Sequence, residues 1–160
     1  MAIRTFGDLK KYLGTLDLEP LIKRLAVWLD EQARAMPAEI VAVKLEWDLV
    51  GGESNDEIVG DLMGYKAPGL DPESSESWDW SSETAEQFLF LGMGAIWSQA
   101  VETVTDDEVP DTEEAITRTI GEVVNLAVEQ SREFTRRRHE PAGFRFFWSR
   151  RGEPAEEYGA

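Results

Sequence analysis

The spacing of apolar residues changes at Pro37, and that change limits the fold more than any other feature of the chain. Before it, Leu18, Leu21, Ile22, Leu25, Leu29 and Ala33 recur every three or four residues, so one face of a helix over 18–36 is apolar. Asp17 is placed to cap this helix, Glu19 and Pro20 fit its first turn, and Pro37 stops it. Beyond Pro37 the period is two: Val41, Val43, Leu45, Trp47 and Leu49 alternate with Ala42, Lys44, Glu46 and Asp48. This predicts a strand with the first set buried and the second set wet. Two adjacent elements with different apolar periods must bury a helix stripe against a sheet face.

The remaining elements extend that scheme. A short helix over 6–13 ends near Gly14, and 57–65 returns as an antiparallel partner, weakened by Gly60 and Gly64, after Gly51-Gly52 closes the first strand. Residues 66–77 read as a loop. A helix capped by Ser81 or Ser82 is expected to run to about Val104, apolar almost all round and hence central, with Gly92 and Gly94 inside it. Asp111 and Glu114 have capping-box spacing for a helix continuing to about Arg138, with Arg136 and Arg137 also in its last turn. Residues 144–150 read as a final aromatic strand, and 152–160 as a frayed tail. The sum is α+β: one domain over 1–160, with a small, mostly antiparallel sheet packed with three long helices.

Charge is distributed unevenly. Residues 37–114 hold twenty acidic groups against Lys44 and Lys66, net −18, while the flanking segments are each net +1. A field of that sign disfavours nucleic acid and anionic membranes and attracts basic protein surfaces. The absence of cysteine excludes disulfides and thiol chemistry, and it suits a reducing, cytoplasmic setting. The first residues show no apolar signal core, and no run reaches the length of a membrane span.

Catalytic signatures are weak. His139, the one histidine, sits in a basic run at an expected helix end, where it complements the helix dipole, and no nucleophile-elbow sequence accompanies it. Asp106, Asp107 and Glu108 are hard oxygen ligands without the spacing of a calcium loop. No glycine pattern matches a phosphate cradle, so no cofactor is expected.

The segment Ser75-Glu76-Ser77-Trp78-Asp79-Trp80 raises the main functional question. Trp80 precedes Ser81 and suits a hydrophobic staple, whereas Trp78 is either core or an exposed anchor. The leading expectation is a non-catalytic, bacterial-type acidic protein that binds a basic protein, most concretely an immunity- or antitoxin-like inhibitor of a nuclease toxin. Its candidate contacts are Glu46, Asp48, Asp71, Glu73, Glu76, Trp78, Asp79, Trp80, Asp106, Asp107 and Glu108. The alternatives are a nucleic-acid mimic, a small enzyme using carboxylates and a divalent metal, and a structural or phage protein; a homo-oligomer is compatible with each.

Overall fold

A computed structural model describes residues 3–49, 57–66, 78–82, 87–139 and 143–159. The fold is α+β, with a mixed sheet and its helices on one face. The helices are α1 (Phe6–Thr15), α2 (Glu19–Ala35), α3 (Met93–Thr103), α4 (Val109–Gln130) and α5 (Arg132–Arg138). The strands are β1 (Ala42–Trp47), β2 (Ile58–Tyr65), β3 (Trp80–Ser81), β4 (Phe88–Phe90), β5 (Arg145–Arg150) and β6 (Glu156–Glu157). They run in the order β3-β2-β1-β5-β6, with β4 also on the outer side of β2. Among the described strands only β1 and β5 are parallel, joined by the long connection that parallel neighbours require. Among the described residues, no helix is long and apolar enough to cross a membrane.

Local chemistry explains most boundaries. Thr5 and Asp8 exchange capping bonds at α1, with Asp8 N donating to Thr5 Oγ1 at 3.1 Å and Thr5 N to Asp8 Oδ2 at 3.2 Å. At α2, Leu18 takes the cap position, and Asp17 Oδ1 accepts from Glu19 N at 3.2 Å. The fourth helix starts at Val109, ahead of the expected Asp111, because the reciprocal capping pair is Thr105 and Glu108 on a 3-10 turn over Asp106–Glu108.

Two expected helices are broken. The segment read as one helix from Ser81 or Ser82 to Val104 contains strand β4 before α3, and Gly92, at φ +89°, separates them. A β-carbon disfavours that backbone, so the turn needs glycine. Ser82 is no cap either: it is buried, and its Oγ accepts from Leu62 N at 2.8 Å. The helix expected to end at Arg138 divides at Ser131, whose Oγ accepts from Phe134 N and donates to Asp30 Oδ1 at 2.7 Å. Asp30 also accepts from Glu133 N, so α2 fixes where α5 begins. Arg137 donates to the Ala33 and Ile40 carbonyls, which makes it a partner of the α2 C-terminus rather than of its own helix alone.

The core lies between the helices and the face of the sheet that carries Val43, Leu45, Trp47, Phe146 and Trp148. Aromatic rings cross it in a row: Trp148 stacks on Trp47 at 5.7 Å, Trp47 meets Phe90 at 5.9 Å, Phe90 meets Phe88 at 4.9 Å, and Phe88 meets Trp28 at 5.6 Å. The opposite face departs from expectation. Ala42, Lys44 and Glu46 are buried, together with Met63, Tyr65 and Phe147, so β1 has no wet face. Val41 and Leu49 lie just outside the strand and are half-buried. The tail expected to fray instead supplies β6, held by Glu157 to Arg145 and by Glu156 to Arg118.

Candidate functional site

The outer edge of β2 carries the tryptophan segment. Gly64 pairs with Trp80 and Met63 with Ser81 in β3, while Ile58, Val59 and Gly60 pair with β4. Asp79 N donates to the Gly64 carbonyl at 2.9 Å, and Asp79 Oδ2 accepts from Lys66 N at 2.7 Å. These two bonds fasten the segment to the end of β2 and divide the two rings. Trp80 is half-buried against the core, whereas Trp78 is 42% exposed. Asp79, the next residue, is also exposed, with one carboxylate oxygen held by Lys66 N.

The other candidates do not converge on it. Asp71, Glu73 and Glu76 lie outside the described residues. Glu46 is 7% exposed and has two cationic partners, with Lys44 Nζ at 3.0 Å and Arg151 Nε at 3.2 Å. Asp48 is exposed at the opposite end of the sheet from Trp78, since β1 ends opposite Gly60. Asp106 and Asp107 are exposed on the 3-10 turn, and Glu108 is occupied, its carboxylate accepting from Thr105 and from Phe6 N. Among the described residues, no group of three or more His, Asp or Glu side chains is placed to hold a metal ion.

Two surfaces escaped the reading of the sequence. Glu46, Trp47, Asp48, Val59, Asp61, Gln87 and Arg151 enclose a depression of about 290 Å³. The hydrogen bond that Arg151 Nε donates to the Glu46 carboxylate, then the charges of Glu46, Asp48 and Asp61, hold the Arg151 guanidinium above its ordinary value. A larger groove of about 440 Å³ runs between α2 and β4. Val27, an apolar residue on the polar side of the α2 pattern, was the available signal for it.

Tyr65 is a further outlier. It is buried, its hydroxyl has no hydrogen-bond partner among the described residues, and burial, aided by the negative charge of Glu46, raises its pKa from 10.0 to about 12. The folded state therefore keeps this proton where the unfolded chain has begun to lose it. Stability is expected to fall as pH rises from about 10 through 12, with Tyr65 contributing about 2 to 3 kcal/mol of that loss. Tyr65→Phe is expected to flatten this limb in urea titrations without weakening the fold at pH 7, since it removes only an unpaired hydroxyl. An unchanged limb would place the proton loss elsewhere.

No protein-family model matches the chain, and neither does any curated protein or solved structure with which it was compared.

Proposed function

We propose that the protein is a non-catalytic binding protein that captures a basic protein surface through its acidic middle segment, with Trp78 as the anchor. The observation that carries this reading is the pair Trp78 and Asp79, an exposed indole and an exposed carboxylate fixed by backbone bonds to the end of β2. Large rings in such positions supply much of the affinity of protein interfaces. The excess of eighteen negative charges over 37–114 supplies the steering field. In its most concrete form the partner is a nuclease-like toxin, and the protein covers the basic surface that would hold nucleic acid, as an immunity protein does. The buried Glu46 and the occupied Glu108 leave the interface; Asp48, Asp106 and Asp107 remain in the field.

Charge acts before contact and packing after it, so the two contributions separate kinetically. With a basic protein recovered from the host on the immobilised chain, association is expected to slow as salt rises, because screening shortens the field to about 8 Å at physiological ionic strength. Neutralising Asp71, Glu73 and Glu76 together is expected to reproduce the high-salt rate. Trp78→Ala is expected to act on dissociation instead, by about 2 kcal/mol or roughly thirtyfold. Thermal melts serve as the folding control. Association that ignores salt, with a Trp78→Ala variant of unchanged affinity, would reduce the acidity to a solubility device.

A further inference from the structure

We propose that the protein also pairs with a second copy of itself, Trp78 of each copy entering the groove between α2 and β4 of the other. One wall of that groove is a single stripe of α2, in which Lys23, Arg24, Val27, Trp28 and Glu31 recur at helical spacing; the other is Gln87, Phe88 and Leu89. Its floor is apolar, with Trp28 against Phe88 at 5.6 Å. Val27 and Leu89 are 59% and 42% exposed, and their burial would stabilise an occupant. Lys23 and Arg24 against Glu31 leave its mouth net positive in a chain of net charge −16. The Arg24 guanidinium lies 5.4 Å from the Phe88 ring centre, and Lys23 has an exposed contact with Glu19 at 3.9 Å.

An aromatic floor under a cationic mouth fits a large apolar ring next to a carboxylate, and the chain presents that pair as Trp78 and Asp79. The ring cannot fill the groove of its own molecule. Asp79 is bonded at Gly64, whereas Leu89 of β4 sits opposite Val59, five residues or about 16 Å away along β2. A two-fold axis normal to the sheet, outside the edge formed by β3 and β4 and level with Asp61 and Leu62, exchanges these two ends of β2. It keeps both helix layers on one side and brings each Trp78 to the β4 end of its neighbour, so that a single contact is made twice. The arrangement does not rest on the basic partner, but it uses the same ring, so pairing and partner capture exclude one another.

Sedimentation of the purified chain over a concentration series tests the pairing. A monomer–dimer equilibrium is expected that strengthens with salt, since two chains of net −16 repel, the reverse of the salt effect on a basic partner. Trp78→Ala and Val27→Glu, both at exposed positions, are each expected to weaken dimerisation at least thirtyfold. A mixture of the two is expected to recover dimers in part, because one intact ring then meets one intact groove. As the chain has no cysteine, Trp78→Cys mixed with Val27→Cys is expected to form an intermolecular disulfide faster than Val27→Cys alone. A chain that stays monomeric at every concentration and salt overturns the proposal, as does a dimer indifferent to both substitutions. Loss with Trp78→Ala but not with Val27→Glu, and without the mixed disulfide, rejects the groove as the docking place.

Discussion

Gly121→Ala is expected to lower stability by about 3 kcal/mol, at the upper end of the range for overpacked cores. A β-carbon at position 121 would stand 2.4 Å from the Trp148 ring carbon Cη2 and under 3.0 Å from two more ring atoms, distances that real contacts do not reach. The ring has little freedom to retreat. Its indole N–H donates to Asn125 Oδ1 at 2.9 Å, its plane stacks on Trp47, and the Arg118 guanidinium lies 5.8 Å from the ring centre. The strain would therefore pass to α4 itself, which must lift from the sheet. Trp148→Phe shortens the ring, so the double variant is expected to be more stable than the sum of the single effects predicts. Chemical unfolding of the four proteins measures this coupling. Additive losses would show that α4 yields at Gly121 for some other reason.

That contact also marks the limit of what the sequence could disclose. The stripe of α2 and the alternation of β1 are local patterns, and both elements stand where those patterns put them. The run Phe88 to Leu91 carries no period that separates a buried helix from a short strand, and only the conformation of Gly92 decides between them. The division at Ser131 depends on Asp30, about a hundred residues away, and no local window contains both. The parallel pairing of β5 with β1 is likewise invisible until the chain closes. Of the candidate contacts, the tryptophan pair stood out in the sequence, but which ring is exposed did not: Trp78 is exposed, whereas Trp80 packs against the core. The groove was not legible, because Val27 and Leu89 become neighbours only through packing. Burial misled at Glu46: alternation assigns a polar residue to a wet face, but it cannot register a lysine two positions away that permits the carboxylate to be enclosed.

Glu46→Ala is accordingly expected to damage the fold, by about 3 to 5 kcal/mol, the range found when one member of a buried ion pair is removed. Lys44 is 2% exposed, with Met63 and Phe147 as its strand neighbours on either side, and Glu46 is the carboxylate 3.0 Å from its ammonium group. Without Glu46 that charge stays enclosed with no compensating carboxylate among the described residues. Arg151 loses the same carboxylate, but its side chain is largely exposed and water can replace the partner, so little of the loss arises there. The double substitution Lys44→Met with Glu46→Leu removes both charges and keeps the volume, and it is expected to restore most of the stability or to exceed it. Asp48→Asn, at the exposed neighbouring position, is expected to stay within about 0.5 kcal/mol of the parent. The comparison separates two roles for acids two residues apart in sequence. A docking acid would spare the fold and slow association when neutralised, whereas a structural one would do the reverse. Urea midpoints that leave Glu46→Ala unchanged, together with slower capture of a basic partner, would return Glu46 to the interface and show that the enclosed Lys44 does not depend on it.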